Sequence, residues 1–90
     1  MKFEWDPQKA EANRQKHGVS FDEAASVFLD PLAVSGPDPD HSIGENRFVT
    51  FGHSSIGRPI AVHHTHRPGT IRLFSARRMT RGERKLHEEG

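Results

Sequence analysis

A chain of 90 residues, 32% apolar and 28% charged, has room for one modest core, so it reads as a single domain over residues 1–90. It has no cysteine, which excludes disulfides and thiolate metal sites and suits a reducing cytoplasm. The net charge of +1 conceals an asymmetry: residues 1–66 sum to −3, residues 67–85 to +6 and the last five to −2, the pattern of a chain with one anion-binding face.

The acids in Met1-Lys-Phe-Glu-Trp-Asp6 stand where a secretion signal needs an apolar run. No stretch approaches the roughly 18 apolar residues of a membrane span, so the expected location is cytoplasmic. Phe3 and Trp5 alternate with Lys2, Glu4 and Asp6, which predicts a short strand or an extended lead-in. Asp6-Pro7 reads as an N-cap followed by a proline at the first helical position. That helix should reach Lys16 or His17 and end at Gly18. Its apolar face is only Ala10 and Ala12, so much of it should be solvated or covered by a partner. Ser20-Phe-Asp-Glu23 forms a capping box, and Phe21, Ala24, Ala25 and Phe28 follow at the spacing of a core-facing helix. Asp30-Pro31 stops it. Residues 32–35 can make a short strand, and 36–46 are a loop by composition. Three β-like runs follow at 47–52, 59–66 and 70–76. Thr80-Arg-Gly-Glu83 opens a final helix. The expected fold is α+β: two N-terminal helices, a three- to four-stranded antiparallel sheet and a C-terminal helix, with the helices on one sheet face.

Strict alternation groups Ile71, Leu73, Ser75 and Arg77 against Arg72, Phe74 and Ala76. On the preceding strand it groups Ile60, Val62, His64 and His66 against Ala61, His63 and Thr65. A tight hairpin would bring Arg67 and Arg77 to a shared surface. Arginine forks hold phosphates bidentately and stabilise the charge that develops when a phosphodiester is attacked. The plainer reading is that Arg78, Arg81, Arg84 and Lys85 solvate exposed faces, and that Arg47 pairs with Glu45 or a helix acid. Of His63, His64 and His66, only the last two share a strand face, with no carboxylate beside them, so neither a metal nor a cofactor is expected. A histidine among arginines suits acid–base work near neutral pH; a strand histidine with no task is the alternative. The chain has no phosphate-binding glycine loop, nucleophile elbow, zinc-protease motif or dinucleotide fingerprint.

The ordered pattern is more specific than any one motif. Phe3-Glu-Trp5-Asp6, Lys9, Asn13 and Lys16-His17-Gly-Val19 precede Phe21-x-Glu23-Ala24 and Val27-Phe28-x-Asp30-Pro31. Glu45-x-Arg47-Phe, Gly52, Thr65-x-Arg67, Ile71-Arg72-x-x-Ser75-Ala76-Arg77 and Thr80-Arg-x-Glu83-Arg84 follow. Over essentially its whole length the chain resembles the BrnT family of bacterial toxins. The resemblance implies a RelE-like fold and a metal-independent endoribonuclease of a type II toxin–antitoxin system that arrests growth. It implies neutralisation by a BrnA-type antitoxin with a ribbon-helix-helix DNA-binding domain, and contact with operator DNA only through that complex. It places the family's strand arginines at Arg67, Arg72 and Arg77, with Arg47 on the preceding strand. His64 then becomes the expected base, and Arg67 and Arg77 the groups that stabilise charge. Arg47, Arg72, Arg78 and Arg81 would hold the RNA backbone. His87 stands where the family usually has a tyrosine. The competing reading is a catalytically inactive nucleic-acid-binding or interaction module; a DNA-contacting regulator lacks a clear helix-turn-helix.

Overall fold

Three side chains start the helices where the sequence places them. The computed structural model describes residues 1–39 and 46–89. Its helices are α1 (Pro7–His17), α2 (Phe21–Ser26) and α3 (Arg81–Glu89). Its strands are β1 (Lys2–Glu4), β2 (Val34–Pro37), β3 (Phe48–His53), β4 (Pro59–Arg67) and β5 (Thr70–Arg78). The Asp6 carboxylate accepts the Gln8 N–H at 2.9 Å, and Gly18 closes α1 in the left-handed conformation at φ 70°. Ser20 Oγ accepts the Glu23 N–H at 3.0 Å, and Thr80 Oγ1 accepts the Glu83 N–H at 3.2 Å. Only the last is a reciprocal box, because a Glu83 carboxylate oxygen returns to the Thr80 N–H at 2.9 Å.

The second helix is shorter than its apolar spacing predicts. After Ser26 it tightens into a 3-10 turn, Val27–Leu29, which keeps Val27 fully buried. Asp30 then turns extended at ψ 118°, as a residue before proline must.

The sheet corrects two expectations. It has five strands in the order β1-β5-β4-β3-β2, and it is mixed, because β1 runs parallel to β5. That pairing sets Phe3 opposite Ile71 and packs its ring 5.3 Å from Phe28. The second correction concerns the helices. One sheet face meets α2 and the 3-10 turn: Phe21, Ala24 and Val27 pack with Ile60, Val62, Ile71, Leu73 and Ala76. We call it the core face. The opposite face carries Arg77, which pairs with Glu83 of α3, and Phe51, which lines a cleft with Leu86 and His87 of α3, so helices lie on both sides.

α1 compensates for its weak apolar face with one polar side chain. Asn13 is 7% exposed. It donates to the carbonyls of Ala76 at 2.8 Å and Val19 at 2.9 Å, and accepts the Ala76 N–H at 3.1 Å. β1 pairs only with residues 70–72 of β5, so further along that edge Asn13 satisfies backbone groups a neighbouring strand would otherwise take.

A bulge breaks the alternation of β5. His63 faces Ser75 and His64 faces Leu73, so Phe74 is an extra residue. Ile71 and Leu73 therefore share the core face with Ala76, and Arg77 is carried to the other side with Arg72. The strict grouping of Arg77 with Ile71 and Leu73 does not hold.

Candidate nucleic-acid interface

The second face gathers most of the residues singled out in the sequence. From β4 it presents Ala61, His63, Thr65 and Arg67, and from β5 Arg72 and Arg77. β1 adds Glu4, opposite Arg72. β3 adds Val49 and Phe51, opposite His63 and Ala61. The Asp38 N–H donates to the Arg47 carbonyl at 3.0 Å, extending the β2–β3 ladder and setting Asp38 beside Arg47 on this face. Arg47 reaches across β4 to place its guanidinium carbon 4.3 Å from the centroid of Phe74, a cation–π contact between next-nearest strands. The proposed pairing of Arg47 with Glu45 lies outside the described residues.

At the centre of this face stands a hydrogen-bonded histidine and carboxylate. His63 Nδ1 lies 2.8 Å from Asp38 Oδ2, with the histidine side chain 20% exposed and the aspartate side chain 8% exposed. An ionised carboxylate only accepts, so Nδ1 donates in this bond, and in a neutral imidazole Nε2 is then the acceptor. Arg77 and Arg72 are diagonal neighbours of His63 across the β4–β5 pair, at the roughly 7–8 Å spacing of such positions.

The register separates the two arginines expected to act together. Arg77 faces Ala61 while Arg67 faces Thr70. That is about 20 Å of β4, too far for both to serve one phosphate. Arg67 and Arg72 approach the Glu4 carboxylate at 3.6 and 3.8 Å, in partly exposed pairs that water and salt can screen. Arg77 is held more firmly, donating to both Glu83 carboxylate oxygens at 2.7 and 3.0 Å. The Glu83 carboxyl is held down at about 2, first by the Arg77 guanidinium. Arg78 lies on the core-face side, opposite Ile60, where its charge acts on Glu23. Arg81 is exposed at the first turn of α3.

His64 does not fit the role of base. It is 0% exposed on the core face, edge-on to Phe28 at 4.9 Å. Its Nε2 lies 2.7 Å from Thr50 Oγ1, which in turn lies 2.6 Å from Ser35 Oγ. Burial first, and the His66 and His63 charges next, push its pKa down to about 4, so at neutral pH it is an uncharged core residue. His64 and His66 do share a face, with rings 4.9 Å apart, while His63 points the other way. The three therefore do not converge as metal ligands. Asp30, His53 and His87 do converge, and nothing in their sequence spacing marks them as neighbours. The Asp38–His63 pair was equally hidden, because Gly36-Pro37-Asp38 reads as loop by composition.

No helix among the described residues is long and apolar enough to cross a membrane. A family model described as the ribonuclease toxin BrnT of type II toxin–antitoxin systems matches residues 5–83. Among solved structures, the chain is similar to the ribonuclease toxin BrnT of Brucella abortus. The two are 25% identical with a TM-score of 0.71, over 90% of this chain and 99% of that one. No curated protein gives a significant match.

Proposed function

Because the chain belongs to the BrnT family of ribonuclease toxins of type II toxin–antitoxin systems, we propose that its second sheet face is the RNA-cleaving surface. The observation that carries this reading is the Asp38–His63 hydrogen bond among Arg47, Arg72 and Arg77. Asp38 fixes the imidazole, and Nε2 takes the proton of an RNA 2′-hydroxyl. That oxygen attacks the adjacent phosphorus, and the 5′-oxygen leaves and takes up a proton. The products carry a 2′,3′-cyclic phosphate and a 5′-hydroxyl. Arg47 and Arg72, on either side of Thr65 and diagonal to His63, stabilise the extra negative charge on the phosphoryl oxygens. Arg67 continues the basic track toward the β4–β5 turn, and Arg81 extends it at the other end. Phe74 offers a ring on which a base can stack. DNA lacks the nucleophile and should resist. The arginines supply the positive charge a metal would bring, so the reaction needs no metal.

Membership of a type II system implies an antitoxin partner. The reading extends to a BrnA-type antitoxin whose ribbon-helix-helix domain carries the complex to operator DNA, and to growth arrest in the cytoplasm when the toxin is unopposed.

The test is cleavage of RNA by the purified protein, with and without EDTA, with the ends identified. Folded His63→Ala should be slower by about 10²–10⁴-fold, the usual worth of a positioned base. Arg84→Ala, outside the face, should weaken binding only mildly. Full cleavage by His63→Ala would remove the dyad from the mechanism, and loss of cleavage on chelation would overturn its metal-free form. Folded wild-type protein that neither cleaves RNA nor arrests growth would establish the inactive-module reading.

A further inference from the structure

The end of the 3-10 turn, the end of β3 and the last turn of α3 meet at Asp30, His53 and His87. One potential ligand atom from each lies within 4.8 Å of the other two. His53 Nδ1 stands 3.8 Å from Asp30 Oδ2, and the two imidazole centroids are 5.9 Å apart. The carboxylate is already oriented: Oδ1 accepts the Leu32 N–H at 2.9 Å and Oδ2 the His53 N–H at 2.7 Å. Such outer hydrogen bonds are what metal-ligating carboxylates ordinarily have. The Asp30 side chain is 12% exposed and that of His53 42%, so the carboxylate is the fixed point toward which an imidazole can swing.

The helix that supplies His87 has little else to hold it. α3 buries no residue. A nine-residue helix is too short to persist on its own in water. Its first turn is tied to the sheet through Glu83 and Arg77. His87 lies one turn further along the same helical stripe. A bond at His87 would fix the next turn and close the cleft of about 250 Å³ lined by Val34, Phe51, Glu83, Leu86 and His87.

We propose that Asp30, His53 and His87 bind one zinc-class divalent ion that clips α3 to the sheet, with water in the fourth position. Two imidazoles and a carboxylate suit zinc and its transition-metal neighbours, whereas magnesium prefers oxygen ligands throughout. Zinc at about 2.0–2.1 Å from each ligand atom sets those atoms roughly 3.4 Å apart, which side-chain rotation reaches from the present spacing. The site is distinct from the dyad, since Val49 faces His63 and His53 lies about 13 Å further along β3.

The experiment is calorimetric titration of the chelator-stripped full chain with zinc chloride, with thermal unfolding measured in parallel. One equivalent should bind and raise the melting temperature, and magnesium should do neither. His53→Ala and His87→Ala should each weaken binding at least tenfold, and His66→Ala should leave it unchanged. Cobalt(II) should give the visible bands of a four- or five-coordinate centre in the unmodified protein, which tests the site even where a variant folds poorly. The chain has seven histidines. Equal zinc binding by the His53→Ala/His87→Ala double variant would therefore assign the ion elsewhere and overturn the proposal, as would the absence of stoichiometric binding. RNA cleavage that persists in EDTA while zinc stabilisation disappears would support both this site and the metal-free reaction; either can fail without the other.

Discussion

Replacing Asn13 with alanine should destabilise the protein far more than an alteration on a helix with so little apolar surface ordinarily would. The side chain makes three hydrogen bonds of 2.8 to 3.1 Å to backbone groups of Ala76 and Val19, both 0% exposed. Alanine strands an N–H and two carbonyls where water does not reach. Each such group costs about 1–3 kcal/mol. Some relaxation at the β5 edge offsets part of this, leaving an expected loss of about 3–5 kcal/mol and a melting temperature lower by more than about 10 °C. Asn13→Asp separates donors from size. It can still accept the Ala76 N–H but sets a carboxylate against two carbonyls, so at neutral pH it should cost at least as much. Equilibrium urea unfolding is the assay, followed by the single tryptophan, Trp5, whose ring meets Phe21 edge-on at 5.8 Å. A loss below about 1 kcal/mol for Asn13→Ala at unchanged m-value, or wild-type stability for Asn13→Asp, would refute the edge-satisfaction argument.

Glu83 should make the docking of α3 sensitive to acid. Its folded pKa of about 2 lies below its ordinary value of 4.5, so its contribution is complete above about pH 4.5 and is lost as the pH falls toward 2. The stake is at most about 3 kcal/mol. Amide hydrogen exchange in α3 should accelerate over that range, and Glu83→Gln should exchange fast throughout. Gly52→Ala should destabilise by about 1–3 kcal/mol in thermal melts. A Cβ there would stand 3.0 Å from Ala33 Cβ and Val27 Cγ1 and 3.1 Å from Asp30 Oδ2.

What could be read in advance depended on the range of the interaction. Asp6, Ser20 and Thr80 act on backbone groups two or three residues away, so the helix starts were plain. The three hairpin strands announced themselves by residue type and turn. β1 was legible only as a short strand or an extended lead-in, since Phe3 finds its partner through Ile71, near the opposite end of the chain. Period-two counting failed on β5 at Phe74, because nothing in the residue types around it marks a bulge. That failure misassigned Arg77 to the wrong face. The arginines of the candidate site were legible as a set, but their grouping was not: distance along β4 separates Arg67 from Arg77, and Arg78 turns to the core-face side. His64 and His63 are adjacent and chemically identical; alternation set them on opposite faces, but only the packing of Phe28 against His64 decides which face is core.

The bulge makes β5 sensitive to length in a way loops are not. An insertion in a connection between elements leaves the two sides of a sheet as they were. Taking Phe74 into the regular ladder would invert everything beyond it: Ala76 would leave the interior, and the charge of Arg77 would be driven toward Ile60 and Val62. The helix hung from Arg77 by Glu83 would lose its attachment. Deleting Phe74 would instead leave an unbroken pleat with Leu73 still opposite His64 and Ser75 still opposite His63, so Ala76 and Arg77 would keep their sides. In this strand the count of residues carries information that their identities do not.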